Sequence, residues 1–206
     1  MSKTVAFTFD DGPNTVTTPR VLDILEENGI VASFFLIARN ITEESAEVAR
    51  RALRMGCEIN NHTVNHPHLD RLPPEEIRAE FDGCTEQIVR ITGQKPKFFR
   101  PPFIDVNQDV FDNIDLPFIS GVGCRDWEPQ VTARERIDLV MSQVRDGDLI
   151  LLHDMAGNEN TVEAIRFLIP ELKKQGYRFL TCSQIFAENG VTPRRGILYS
   201  NVFQTA

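Results

Sequence analysis

Short runs rich in β-branched and aromatic residues alternate with amphipathic stretches along most of the 206-residue chain. The first kind of run predicts strands over residues 4–9, 31–37, 57–59, 97–99, 117–122, 148–152 and 177–181. Apolar residues spaced three and four apart predict helices within residues 17–29, 42–55, 73–91, 132–144 and 161–175. About seven or eight such β–α steps predict parallel strands, which either close toward a barrel or form an open wound sheet.

The chain shows no Ser/Gly linker, low-complexity segment or evident internal repeat, and its length suits one sizeable core. We therefore expect a single domain over residues 1–206. Lys and Arg total 22 against 30 Asp and Glu, so the formal charge is −8. This acidic balance argues against nucleic acid or an anionic membrane surface as the main partner.

The longest nearly apolar run covers residues 30–38 and is interrupted by Ser33, so no membrane span is expected. The first residues are too short a run for a signal-peptide core, because Asp10 and Asp11 follow at once. Either the protein is cytoplasmic or a leader has been removed. The four cysteines lie far apart without a C-x-x-C pair, which favours free thiols in or near the core.

Polar and ionisable residues follow the predicted strands, where parallel folds of this class form their sites. Asp10 and Asp11 follow the first strand, and His62 and His66 follow the third. On a helical turn, histidines four residues apart share one face and can share a cation. With a carboxylate from the acidic pair, they would form a divalent transition-metal site that leaves positions for water or substrate.

The acidic pair and the histidine pair are each weak evidence alone. Asp10-Asp11-Gly12-Pro13, for example, is also typical of a simple acidic turn. A phosphorelay receiver domain also has an acidic pair after its first strand. It needs a third, phosphorylatable aspartate, whereas the corresponding loop here carries His62 and His66. Haloacid-dehalogenase-like phosphatases need D-x-D, which Phe9-Asp10-Asp11 does not provide.

Five stretches, taken together and in order, resemble the motifs of the polysaccharide deacetylase family, also called the NodB-homology or carbohydrate esterase family 4 domain. They are Thr8–Pro13 (TFDDGP), His62–His66 (HTVNH), Arg100–Phe103 (RPPF), Asp126-Trp127 (DW) and Leu151–His153 (LLH). Only the end of the fourth motif, D-x-x-D-W, is clear here, and Phe103 replaces the more usual tyrosine of the third.

The resemblance implies a distorted (β/α) barrel of seven or eight parallel strands and a metal-dependent deacetylase. The substrate would be a polysaccharide or oligosaccharide, with O-acetyl groups on xylan or N-acetyl groups on chitin oligomers or peptidoglycan. Residues 98–127 and 198–201 look most like the bacterial acetylxylan esterases of the family. The resemblance also implies a monomer that works outside the cell or at its surface.

By the same resemblance, Asp11, His62 and His66 would hold one divalent ion, zinc or cobalt. Asp10 would be the general base that activates water, and Arg100 would orient it and keep it ionised. A second set would serve the leaving group and the substrate.

In that second set, His153 would be the general acid that protonates the departing sugar, with Asp126 keeping it protonated and aligned. The implied substrate-binding residues are Pro102, Phe103, Trp127 and Leu151. Among them, the Phe103 backbone N–H would stabilise the oxyanion, Trp127 would wall the groove, and Leu151 would meet the acetyl methyl group. Two other functions stay open: a small-molecule amidohydrolase of the same superfamily, and a catalytically idle glycan-binding relative.

Overall fold

The computed structural model describes residues 3–205. Its strands are Lys3–Asp10 (β1), Ser33–Leu36 (β2), Glu58–Asn61 (β3), Phe118–Ile119 (β4), Val122–Gly123 (β5), Asp148–His153 (β6), Tyr177–Phe179 (β7) and Leu198–Tyr199 (β8). Its α-helices are Thr18–Glu27 (α1), Glu43–Arg54 (α2), Pro74–Thr92 (α3), Gln108–Asn113 (α4), Ala133–Gln143 (α5), Glu159–Lys174 (α6) and Cys182–Glu188 (α7).

The strands close into a distorted barrel, and every pair of named strands is parallel. β1 pairs along its length with β6 on one side, and with β7 and then β2 on the other. β3 continues from β2, and Phe99 bridges β3 to β4, which pairs with β8. The ring closes where the Leu149 N–H of β6 donates to the Ser200 carbonyl just after β8 at 3.0 Å, and β5 also pairs with β6. The ring confirms the expected barrel and excludes the open sheet.

Alternation along the strands separates an outer core from the barrel interior. Val5, Phe7 and Phe9 of β1 pack into the large cluster beneath the helices, whereas Ala6 belongs to a separate inner cluster. Asp10 lies four residues after Ala6, and every second residue of a strand points to the same face. Asp10 therefore points into the mouth of the barrel. The register sets it opposite His153, the last residue of β6.

The helices α1, α2, α3, α5 and α6 form where the patterning predicts them, whereas the short helices α4 and α7 are not predicted. Thr42 and Thr132 cap α2 and α5 through reciprocal side-chain and backbone hydrogen bonds, because a threonine oxygen can accept from an otherwise unpaired N–H of the first turn. Two predicted strands differ from the observed ones. The strand over residues 97–99 is only an isolated bridge at Phe99, and residues 117–122 divide into β4 and β5 at Gly121.

All four cysteines are buried free thiols, as expected. Within residues 3–205, no helix has the length and apolar character needed to cross a bilayer.

Candidate active site at the mouth of the barrel

The adjacent residues Asp10 and Asp11 serve one site because the chain turns between them. Asp10 still belongs to β1, whereas Asp11 has a left-handed backbone with φ of 72°. The Asn40 side chain donates a hydrogen bond to the Asp11 carbonyl at 2.9 Å and holds this turn.

Asp11, His62 and His66 come together as a three-residue cluster. The Nε2 atoms of His62 and His66 each lie 3.6 Å from Asp11 Oδ1, and ligand atoms from all three residues fall within 4.8 Å of one another. Ligand atoms about 2.0–2.2 Å from one tetrahedral ion lie roughly 3.3–3.6 Å apart. The spacing therefore fits a single metal ion.

The two histidines meet through a loop, which corrects the expectation of a helical turn. Residues 62–68 contain no helix, and Thr63 and His66 have left-handed backbones with φ of 70° and 60°. His62 lies 2.7 Å from the Arg100 carbonyl through its Nδ1 atom. Because a carbonyl can only accept, Nδ1 carries the proton and Nε2 is left with a free lone pair.

The protonation of the cluster also suits a cation. Burial lowers the pKa of His62 to about 3, although the nearby Asp11 opposes the shift. Burial likewise lowers the pKa of His66. Asp11 Oδ1 is buried and accepts no hydrogen bond within the described residues, and such an oxygen is costly without a partner. Two neutral imidazoles and one unpartnered carboxylate oxygen are the donors that divalent transition metals prefer.

Asp10 forms a buried ion pair with Arg100. Arg100 Nη1 donates to Asp10 Oδ1 at 2.5 Å, and Nη2 donates to the hydroxyl of Thr8 at 2.8 Å. The guanidinium also lies 4.3 Å from the centre of the Phe35 ring and donates to the Ile119 carbonyl at 3.2 Å. Arg100 therefore fixes the orientation of Asp10 from inside the barrel.

Burial raises the pKa of Asp10 above its ordinary value, and this effect outweighs the lowering by Arg100. The sequence indicates only the effect of Arg100, because it does not show how deeply Asp10 is buried. A carboxylate with a raised pKa is a stronger base, so burial increases the basicity of Asp10 while Arg100 limits the increase. Asp10 Oδ2 lies 3.6 Å from His62 Nε2, beside the proposed ligand set.

His153 and Asp126 form a second ion pair across the mouth. His153 Nδ1 lies 2.8 Å from Asp126 Oδ1, and the His153 backbone N–H donates to Asp126 Oδ2 at 2.6 Å. Burial alone would lower the pKa of His153, but the charge and hydrogen bond of Asp126, together with the smaller effects of the Asp10 and Asp11 charges, raise it to about 9. His153 is therefore an imidazolium at neutral pH, with Nε2–H as its remaining donor.

A polar network that the sequence did not indicate holds Asp126 in place. Thr161 donates to Asp126 Oδ2 at 2.8 Å, and Asn158 donates to the carbonyls of Asp126 and His153 at 3.1 and 3.0 Å. Buried Arg136 in turn donates to Thr161 and Asn158. Only the spatial meeting of α5 and α6 assembles these residues, so no local motif could have identified them.

Both ion pairs open into one pocket of about 370 Å³, here called the reactive pocket. Its lining is Asp10, Asp11, His62, His66, Pro101, Phe103, Ile104, Trp127, Leu151 and His153. Phe103 and Trp127 are about half exposed and form apolar walls, whereas Leu151 is buried in the lining. Pro102 is expected to contact substrate, but it is buried and does not line this pocket, because Phe103 takes the exposed position of the turn.

The turn that carries Phe103 is strained and is held from one side. Phe103 and Ile104 both have positive φ angles, 57° and 61°. The His68 ring stacks on the Phe103 ring at 3.9 Å between centroids, and His68 Nδ1 bonds to Asp105 Oδ2 at 2.6 Å. His68 belongs to none of the five sequence motifs, and nothing local in the sequence indicates this stacking.

Left-handed non-glycine residues concentrate around the site. Within residues 3–205 they are Asp11, Thr63, His66, Phe103, Ile104 and Arg125. All of them lie in loops that carry or adjoin a residue described above. Such backbone costs about 1–3 kcal/mol per residue and is found where surrounding structure enforces a functional geometry.

The chain is similar to known polysaccharide deacetylases along most of its length. The family model for polysaccharide deacetylases matches residues 1–115. The chain is 44% identical over 191 residues to a bifunctional xylanase/deacetylase of Pseudobutyrivibrio xylanivorans, covering 93% of this chain and 32% of that protein. It is 35% identical over 193 residues to a peptidoglycan-N-acetylglucosamine deacetylase of Bacillus cereus, covering 89% of this chain and 88% of that protein. The chain thus spans about a third of the length of the bifunctional relative.

Two solved structures superpose closely on this chain. One is the Xyl-CE4 domain of a multidomain xylanase from the hindgut metagenome of Trinervitermes trinervoides, with a TM-score of 0.96, 40% identity and 98% of each chain covered. The other is a family 4 acetyl xylan esterase from Clostridium thermocellum in complex with a cobalt ion. It has a TM-score of 0.95 and 37% identity, with 98% of this chain and 100% of that chain covered.

Proposed function

This chain belongs to the polysaccharide deacetylase family, and from that premise we propose that it hydrolyses acetyl groups on a polysaccharide. The observation that carries the proposal is the convergence of a buried base, Asp10, and a protonated histidine, His153, on one pocket beside a metal-ligand set. Hydrolysis of an acyl group needs a base that activates water, a site that stabilises the oxyanion, and an acid that protonates the leaving group.

We assign the ligand set Asp11, His62 and His66 to one divalent ion, zinc or cobalt. A metal bound there would supply Lewis acidity, which lowers the pKa of a water molecule and polarises a carbonyl group. The protein keeps both imidazoles neutral and directs His62 Nε2 into the site through the bond from Nδ1 to the Arg100 carbonyl.

Asp10 removes the proton from the attacking water. Its raised pKa lets it hold that proton, and Arg100 keeps the carboxylate oriented before and after transfer. The backbone N–H of Phe103 donates to no acceptor within the described residues and lies on a residue that lines the pocket, so it is available to the oxyanion.

His153 then protonates the sugar oxygen or nitrogen as the carbon–oxygen or carbon–nitrogen bond breaks. Asp126 takes no proton in this step; it maintains the imidazolium and points Nε2–H at the leaving group. Leu151 lies where an acetyl methyl group can be buried, and the rings of Phe103 and Trp127 offer apolar faces to a sugar ring.

The test is acetate release from acetylated xylan and from chitopentaose, with protein loaded with zinc or cobalt. We expect release from at least one substrate, with acetylated xylan preferred because residues 98–127 look most like acetylxylan esterases. No release from either, with metal bound, would remove the deacetylase proposal. Retained glycan affinity in Asp10→Ala together with an inactive parent would favour the idle glycan-binding relative. Turnover of cyclic ureides or formyl sugars would favour the amidohydrolase.

Asp126→Asn is expected to lower the pH at which activity declines on the alkaline side of the pH–rate profile. In the parent, activity should fall as pH rises through the His153 pKa of about 9. Asparagine can still accept from Nδ1–H but removes the charge that opposes burial, so the limb should move toward neutral pH. The same pairing stabilises the fold fully below the ordinary histidine pKa of about 6.5. That stability is lost as pH rises from there through about 9.

The measurement is kcat/KM from pH 5 to 10 for both proteins, with urea unfolding at pH 6 and 9.5. An unchanged alkaline limb in Asp126→Asn would exclude His153 as the group that titrates there.

His68→Ala is expected to lower kcat about tenfold with little change in KM. Loss of the stacked ring frees the Phe103 turn, and a displaced oxyanion donor weakens only the transition state. Complete loss of such a donor costs more, about 10²–10³-fold. The measurement is kcat and KM on acetylated xylo-oligosaccharides. His68→Phe keeps a ring against Phe103 and should retain the parent kcat. Equal losses in both variants would contradict a positioning role for the ring.

A further inference from the structure

A second cleft joins the reactive pocket and is here called the side cleft. It has a volume of about 520 Å³ and shares Asp11 and His66 with the reactive pocket. Its other walls come from the loop after β1, the turn after β2, the start of α2 and residues 155–156. A space of this size lies within the roughly 300–1,000 Å³ of small-ligand sites. A glycan bound at the reactive centre therefore has room to continue into it.

Arg39 gives the side cleft a distinct chemistry. It is exposed in the cleft wall, and its guanidinium forms no ion pair or side-chain hydrogen bond within residues 3–205. The one carboxylate of the lining is Asp11, which belongs to the metal-ligand set. An unpaired guanidinium in a concave wall matches the planar, bidentate geometry of a carboxylate.

The backbone around Arg39 is fixed relative to the reactive centre. The Arg39 N–H donates to the Val64 carbonyl at 3.1 Å, within the loop that bears the two histidine ligands. The next residue, Asn40, donates to the Asp11 carbonyl at 2.9 Å and accepts from the Ser45 hydroxyl at 2.7 Å. The backbone that carries the Arg39 side chain is thus held beside the ligand set.

We propose that the side cleft binds the sugar unit next to the one that is deacetylated, and that Arg39 recognises a carboxylate on that unit. This inference rests on the proposed deacetylase function and adds its substrate class: acetylated polysaccharides that carry acidic groups. The carboxylate could belong to a uronic acid branch on xylan or to the lactyl ether of a muramic acid unit. The recognition chemistry is the same for both.

The test compares matched acetylated xylo-oligosaccharides with and without a glucuronic acid branch, using metal-loaded Arg39→Gln and the parent. We expect KM for the branched substrate to rise about tenfold in the variant, as for loss of a charged hydrogen bond. Unbranched substrate should be unaffected. Arg54→Gln removes an equivalent charge from an exposed position at the end of α2, outside the cleft, and should change neither value. A parallel series with glucosamine–muramic acid oligosaccharides identifies which carboxylate source is recognised.

Calorimetry with the corresponding deacetylated oligosaccharides separates this inference from the proposed function. The parent should bind acidic oligosaccharides more tightly than neutral ones, and Arg39→Gln should lose that difference, whether or not acetate is released. The inference is overturned if Arg39→Gln affects acidic and neutral ligands equally or affects neither. Absence of acetate release with the binding difference intact would instead reject the deacetylase function.

Discussion

His62→Ala is expected to lose both bound metal and measurable acetate release. His62 is buried, and its Nε2 atom is one of the three proposed ligand atoms, held in place by the bond from Nδ1 to the Arg100 carbonyl. Even loss of a group that only orients a ligand typically costs 10–100-fold in metal affinity. Loss of the ligand itself should cost more, because Asp11 and His66 alone leave the ion weakly held. The measurement is metal content per chain after purification without chelator, followed by acetate release with added zinc or cobalt.

The matched control is His68→Ala, which removes another histidine six residues along the same loop. It should keep the ion held by the Asp11–His62–His66 cluster, because His68 belongs to a separate group with Asp70 and Asp105. Circular dichroism and urea unfolding check that His62→Ala still folds, since the substitution leaves a cavity and an unpaired carbonyl. If His62→Ala binds one equivalent of metal as tightly as the parent, the ligand assignment is wrong.

The parts of the site that could be predicted are those in which side-chain chemistry follows directly from position on a strand. Asp10 and His153 each come at the end of a buried apolar strand, and parallel strands present those ends at one mouth. Alternation then directs both side chains inward, as the register of β1 against β6 confirms. The distorted barrel was likewise predictable, once the resemblance favoured closure over an open sheet.

The parts that could not be predicted depend on backbone conformations and contacts between distant segments. The sequence spacing of His62 and His66 suggested a helix, but left-handed residues in a loop bring them together. The direction of the pKa shift of Asp10 could not be predicted from the sequence either. Arg100 was expected to dominate its pKa, whereas the depth of burial, which no motif records, decides the direction.

Contacts between side chains of separate elements could not be predicted from the sequence either. His68 meets Phe103 only because the loop after β3 crosses the turn that follows Phe99. The side cleft beside Arg39 forms between the loop after β1 and the start of α2, which are distant in sequence. Local patterns therefore indicated the residues proposed to react, whereas the side chains proposed to position them or to extend the groove required the folded chain.

Asp10→Asn is expected to keep the metal and lose turnover by about two to four orders of magnitude, the range typical of general-base loss. Asparagine has nearly the same shape and can still accept from Arg100, but its amide cannot take a proton from water. Asp11, His62 and His66 are unchanged, so metal content should equal that of the parent. The measurement pairs metal analysis with kcat on acetylated xylan, and KM should change little because Asp10 acts on water rather than on the sugar.

Two comparisons decide whether a loss in Asp10→Asn reflects proton transfer rather than damage to the fold. The variant leaves buried Arg100 without its counter-charge, so its free energy of unfolding should fall by about 3–5 kcal/mol. Asp148→Asn provides a control, because Asp148 is a buried acid at the opposite end of β6 whose carboxylate accepts from Arg145 and Asn201. It should lose stability but keep kcat. Should Asp10→Asn retain kcat within about tenfold of the parent, well short of a general-base loss, another group must activate the water.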